Sequence, residues 1–439
     1  MKNLSLLSSA ALLFTASTYV MASDIPLAPI MQDVAYLAND NLKGRASFTP
    51  EADKAADYIA SRFKEVGLSP FKSNSYKQTF PVFVRELESV TVSLNKTAVK
   101  AADIAVATTS DETDWETNSN IKVSLVNAKD DLRSALSKLN QQGGDHLVLI
   151  NSAHKKLFNR YRAYFSHPKT KLVDNDAGTL VMVLTDEIEA NNFAVSVKSR
   201  STQKQLTNVI GVLPAKNKQA EMVLFSAHYD HIGTKSAENS KQDIISNGAD
   251  DDASGVSGII NLAKYFSAKQ QNTRQLVFVA FAAEEIGGYG SKYFAQQQDP
   301  SQITAMFNLE MIGKPSKFGQ GKVWMTGYER SDLGSIMNRA LKPLNTKVYA
   351  DPYPKQRLFY RSDNATLARL GVPAHSFSST QIDKDPHYHK VTDEIATLDF
   401  VSMQQVVNTI AKGVEPIVTG QATPKRIDVS KVTQKGKIF

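Results

Sequence analysis

From Gln205 onward the chain alternates long, almost purely apolar runs with amphipathic stretches. The apolar runs at 207–213, 221–227, 275–282, 303–312, 322–326 and 372–377 lack the regular polar alternation of a half-exposed strand, so they predict strands buried on both faces. Between them Val256, Ile259, Ile260, Ala263 and Phe266 mark one helical stripe, and Phe400, Met403, Val406, Val407 and Ile410 mark another. Such strands joined through helices predict an α/β fold, with a mostly parallel central sheet and helices on both faces.

Upstream, Met31, Val34, Ala35 and Leu37, then Ala55, Ala56, Ile59 and Phe63, recur at helical spacing until Gly67 and Pro70 stop the pattern. Between 86 and 202 short β-like runs (90–94, 121–126, 147–150, 180–184) alternate with polar loops and one helical stretch, 131–139. This change of texture predicts an inserted, smaller β-rich domain over 86–202. The main domain would then be built from 23–85 and 203–420, with 421–439 as a solvated basic tail.

Residues 1–22 read as a signal peptide: Lys2, an apolar run over 4–19, and small-residue cleavage at Val20-Met21-Ala22. The expectation is an exported protein, periplasmic or secreted, with no stable membrane anchor once the signal is removed. Hydrophobic residues make up 42% of the chain and charged ones 22%, which argues against disorder and against a multi-span membrane protein. The formal charge is +7, but Lys and Arg are scattered without an interleaved aromatic stripe, so no nucleic-acid partner is expected. Among the 439 residues there is no cysteine, which removes disulfides and thiolate ligands and leaves His, Asp and Glu for any metal site.

Those residues cluster after the strands, where ligands bind in open α/β sheets. His228-Tyr229-Asp230-His231 follows one strand, and a His two residues from an Asp can ligate a metal while the carboxylate orients the ring. Asp250-Asp251-Asp252 stands immediately before a helix, where capping accounts for one carboxylate but not three. Glu284-Glu285 ends the next strand, a pair suited to dividing metal ligation from proton transfer. Glu310 ends an otherwise apolar strand and calls for a cation partner, and His387 and His389 share a polar loop in which spacing does not choose between them. Two histidines among oxygen donors suit zinc, with Mn or Co as substitutes, and two such ions would favour hydrolysis.

In this order the motifs resemble the two-zinc exopeptidases that include bacterial leucyl-type aminopeptidases, aminopeptidase Y and glutamate carboxypeptidase, over about 35–70 and all of 205–418. The resemblance implies two zinc ions per chain: His228 and Glu310 on one, Glu285 and His389 on the other, Asp251 bridging. It implies Glu284 as general base, Asp230 as the carboxylate behind His228, Tyr360 as a candidate for stabilising the oxyanion, and a cis peptide at Asp251-Asp252. It prefers His389 over His387 because the family's final ligand precedes a turn residue by four positions, here Asp393. The implied substrates are peptides and the implied activity is aminopeptidase, with a dipeptidase or carboxypeptidase of the same fold as alternative. Two positions depart from the family pattern: Glu310 stands where Asp is common, and Asn364 replaces the His that usually ends a Ser-Asp-His segment. The 86–202 unit occupies the place where relatives insert a protease-associated domain.

Overall fold

The computed structural model describes residues 24–215, 221–236, 242–434 and 436–439; the signal peptide expected at 1–22 lies outside them. A twelve-stranded sheet forms the backbone of the molecule, and the strand Met222–His228 runs through its middle. That strand pairs in parallel with Gln275–Phe281 on one side and Ile303–Leu309 on the other, and Ile303–Leu309 pairs in parallel with Ala374–Ser378. Side chains alternate between faces: Val223, Phe225 and Ala227 enter one core, Met222 and Leu224 the other. The first core lies under the helices Leu27–Leu37, Pro50–Glu65, Gly255–Lys269 and Phe400–Gly413, and the second under Tyr289–Gln296 and Asn364–Ala368. The helix Gly255–Lys269 is almost wholly buried, because it packs on the sheet with one side and on neighbouring helices with the other.

The sheet is mixed rather than mostly parallel. Phe193–Leu213 runs antiparallel to both Gln275–Phe281 and Lys77–Leu94, and Val323–Met325 runs antiparallel to Ala374–Ser378. The parallel order holds only where helical crossovers join the strands, and the flanking strands return by other routes.

Lys77–Leu94 and Phe193–Leu213 form one long two-stranded ribbon, paired from Val209 opposite Lys77 to Phe193 opposite Leu94 with one register shift between Lys198 and Ser199. The boundaries expected at 85/86 and 202/203 therefore fall inside continuous strands. Beyond them stands a separate four-stranded sheet, ordered Ile104–Thr108, Thr179–Leu184, His146–Ile150, Lys122–Val126. Its helices Leu132–Gln142 and Lys155–Phe165 cover one face, and the ribbon's Val92, Val195 and Val197 cover the other together with Trp115. This unit is α/β, not simply β-rich, since it carries a second helix over 155–165 that the dense Lys and Arg there obscured.

The segment after 420 is a strap, not a solvated tail. Ile427 and Val432 enter the core beside Phe359 and Leu367, and Ile438 enters the core of the smaller sheet. Asn140 fastens its end, accepting the main-chain N–H groups of Ile438 and Phe439 at 2.8 and 2.9 Å. Basic residues masked the apolar positions spaced between them.

Candidate metal centre

The three central strands deliver their chemistry at one edge. His228 is the last residue of its strand, Glu284 and Glu285 follow Phe281 by one turn, and Glu310 follows Leu309 directly. Ala283, Met311 and His389 have φ of 60°, 51° and 57°, a left-handed conformation that costs a non-glycine residue roughly 1 kcal/mol. Each lies at or beside a candidate ligand or the candidate base Glu284, where local strain is offset by the fold around it.

Asp251 sits between two groups of donors. Its Oδ1 lies 3.1 Å from His228 Nε2, which is 3.6 Å from Glu310 Oε1. Its Oδ2 lies 3.3 Å from His389 Nε2, which is also 3.3 Å from Glu285 Oε2. Donors bound to one tetrahedral zinc at 2.0–2.2 Å are separated by ~3.3–3.5 Å, so these spacings fit two adjacent ions sharing one carboxylate. Glu285 Oε1 is buried without a hydrogen-bond partner, as expected of an oxygen that serves a cation. His228 Nδ1 lies 3.0 Å from the carbonyl of Asp230, and an N–H there leaves the Nε2 lone pair free for a metal.

The carboxylate of Asp230 acts elsewhere than expected. It is 3.8 Å from His228 Nδ1, while its Oδ1 accepts the main-chain N–H of Glu284 at 3.0 Å and its Oδ2 accepts the Ser47 hydroxyl at 3.0 Å. It therefore holds the turn that carries the two glutamates, and the ring of His228 is oriented chiefly by a carbonyl.

The run of three aspartates is also divided. Asp252 accepts the main-chain N–H groups of Gly255 and Met311 at 3.1 Å, and Asp250 accepts those of Gly313 at 2.8 Å and the Thr380 hydroxyl at 2.6 Å. Only Asp251 faces the donors. The bond between Asp251 and Asp252 is cis. Under this turn lies Arg45, fully buried, donating to the carbonyls of Leu37, Tyr229, Asn247, Gly248 and Asp251.

Of the two loop histidines, His389 reaches the cluster, and His387 Nδ1 pairs with the Thr392 hydroxyl at 3.0 Å. Glu310 Oε2 accepts the Ser362 hydroxyl at 2.6 Å. Asn364 is buried away from the donors, bonded to Phe359, Ala374 and Ser376. Tyr360 does not join the cluster: its hydroxyl accepts the Thr433 N–H at 3.4 Å, and the guanidinium groups of Arg330, Arg357 and Arg369 surround its ring. The phenol near the cluster is Tyr388, stacked on His389 with ring centres 3.9 Å apart and lining one cleft with Glu310. The chemistry-bearing His231, in the same motif as His228, completes a second group with Asp251 and Glu285 that sequence reasoning left unassigned.

Burial pushes the carboxyl of Glu284 well above the usual carboxylate range; neighbouring His228 opposes the shift, and Glu310 and Asp363 add to it. Burial likewise raises the Tyr388 phenol, which keeps its proton at neutral pH.

A cleft at the end of a mixed α/β sheet, with a carboxylate facing two groups of His and Glu, defines a metal-dependent hydrolase. Residues 208–414 match the family model described as Peptidase family M28. The chain is 26% identical over 292 residues to leucine aminopeptidase 1 of Trichophyton rubrum, covering 63% of this chain and 73% of that protein. It is 23% identical over 253 residues to aminopeptidase YwaD of Bacillus subtilis (strain 168), covering 54% of this chain and 50% of that protein. In fold it is similar to BSAP, a zinc aminopeptidase from Bacillus subtilis, with a TM-score of 0.57 at 18% identity over 95% of this chain and 100% of that one. An aminopeptidase from Aneurinibacillus sp. strain AM-1 gives a TM-score of 0.52 at 19% identity, over 94% of this chain and 98% of that one. The match to Peptidase family M28 spans just under half of the chain and holds all the candidate metal donors, and together with these relatives it makes the protein a zinc-dependent peptidase.

Proposed function

We propose that this protein is an exported aminopeptidase that holds two zinc ions and removes N-terminal residues from peptides. The observation that carries the reading is Asp251, whose two oxygens face His228 and His389 at 3.1 and 3.3 Å. His228, Asp251 and Glu310 would hold one ion; Asp251, Glu285 and His389 the other. Bound there, the ions would supply Lewis acidity toward a water molecule and the scissile carbonyl.

Glu284 does the proton work. Its carboxylate takes a proton from the attacking water and passes it to the leaving amine. Asp230 fixes the Glu284 backbone, so the carboxylate meets the water without first ordering its own loop. The Tyr388 hydroxyl, protonated and beside Glu310, donates to the oxygen that becomes negative, the role the sequence suggested for Tyr360.

The names of the relatives support an N-terminal cut. A carboxypeptidase is the second reading, because Arg361 lines the same cleft and its guanidinium contacts the Tyr388 hydroxyl at 3.1 Å, a cation able to take a substrate carboxylate. The unit over 86–202 is proposed as a protease-associated-like domain at the rim: Tyr289, five residues past Glu284, donates to the carbonyl of Thr170 in that unit. The leader-like start supports export, and among the described residues no helix is long and apolar enough to cross a membrane.

The test is metal content of the purified protein together with hydrolysis of aminoacyl-anilides and their N-acetylated forms, in wild type and Glu284→Gln. Two metals, cleavage that needs the free amine, and collapse of activity in the variant are expected. Equal cleavage of blocked substrates, or a single metal, overturns the reading.

A further inference from the structure

His231 is fully enclosed, and neither of its ring nitrogens has a hydrogen-bond partner. An imidazole carries one N–H and one lone pair, and leaving either unpaired in the interior costs about 1–3 kcal/mol. The ring is nevertheless held in place. Its main-chain N–H reaches the carbonyl of Arg45 at 3.4 Å, and its edge rests against Gly248, where a Cβ would lie 2.6 Å from the ring. Gly248 has a φ of 57°, so the turn before the aspartates both needs a glycine and leaves the space the imidazole fills.

What the ring faces is the second group of donors. Nδ1 lies 2.7 Å from Glu285 Oε1 and 3.9 Å from Asp251 Oδ2, and the three donor atoms fall within 4.8 Å of one another. At 2.7 Å Nδ1 and Oε1 stand closer than the ~3.3–3.5 Å of two donors on one zinc, so they would part by ~0.6–0.8 Å around a shared ion, and neither atom has a hydrogen-bond partner that such a shift would break. The His389 ring closes the same space from the opposite side, its centre 5.9 Å from that of His231 and its plane turned by 70°.

We propose that His231 is a further ligand of the second metal position, through Nδ1, so that this position has two imidazoles where the His228 position has one. The inference rests on the two-metal reading above and adds an asymmetry to it. Two neutral nitrogens with the carboxylates of Glu285 and Asp251 make the second position richer in the borderline donors that favour zinc or cobalt, while His228, Asp251 and Glu310 make the first richer in oxygen. A chelator should accordingly empty the His228 position first and the His231 position last.

The test uses the full protein, stripped and reloaded with Co(II) or Zn(II) alone. In the cobalt form each coordinated imidazole adds one solvent-exchangeable, paramagnetically shifted N–H proton signal. Signals from His228, His231 and His389 are expected in wild type, with that of His231 lost in His231→Gln. Competition with a chelator should show affinity at one of the two positions falling ~10- to 100-fold in His231→Gln and His231→Ala. If wild type takes up two ions but gives signals from His228 and His389 alone, or if both variants keep wild-type affinity at both positions, the His231 assignment is wrong and the two-metal reading stands. If wild type takes up fewer than two ions, the two-metal reading itself fails. Because the proton count is made on wild type, a variant that folds poorly leaves the assignment testable.

Discussion

The carboxylate of Asp230 grips the backbone of Glu284: Oδ1 accepts its N–H at 3.0 Å, and Oδ2 accepts the N–H of Glu285 at 3.4 Å. One side chain, two residues beyond His228, thus fixes the turn that presents both glutamates. Asp230→Ala should reduce kcat by ~10- to 100-fold, the usual loss when a supporting carboxylate is removed, while KM for an aminoacyl-anilide changes little. Steady-state kinetics checks this; an unchanged kcat would mean that the turn holds its shape unaided.

Arg45 ties the loop after His228 to the loop of Asp251 through carbonyl oxygens alone, and its charge faces the carboxylates of Asp251 and Asp230 without bonding to them. Arg45→Met leaves those carbonyls buried and unpaired, so thermal or denaturant unfolding should reveal a loss of at least about 3 kcal/mol. Arg45→Lys should restore little of it, since an ammonium cannot span acceptors set around a planar fork.

His375 supplies a pH dependence unrelated to metals. Buried in the sheet, with Nδ1 against the Thr326 carbonyl and Nε2 against the Ser331 hydroxyl, it is pushed down by burial to about 4. The folded state thus holds it neutral while the unfolded chain protonates it below about 6.5. Its contribution is complete above that pH and is lost as pH falls toward 4, about 2 kcal/mol of it by pH 5. Denaturant titrations at pH 7.5 and 5 should show His375→Gln losing less stability over this interval than wild type does.

Asn140 joins the strap to the smaller sheet, accepting from Ile438 and Phe439 and donating to the Phe439 carbonyl. Asn140→Ala should free the last residues and expose the edge of Phe165 against which Phe439 packs, at a cost of about 1–3 kcal/mol. Limited proteolysis should then cut after 432 faster than in wild type, with catalysis of small anilides unaffected.

The sequence by itself determined the central strands, the helical stripes and the ends where chemistry collects. Those follow from local periodicity and from the rarity of acidic and His residues among apolar runs. The strand ending at His228, the glutamates after Phe281 and Glu310 after Leu309 were legible for that reason. Only the tertiary structure decided which neighbours in a motif turn inward. Among three consecutive aspartates one faces the donors, and between His387 and His389 one reaches them, because a residue's direction depends on backbone angles and distant amides that spacing does not encode. For the same reason Tyr388 rather than Tyr360 lies at the cleft, the sheet is mixed, and the basic C-terminal stretch packs down. His231 was visible as a letter beside the motif, but its burial between Gly248 and Glu285 arises from chain segments brought together only by folding.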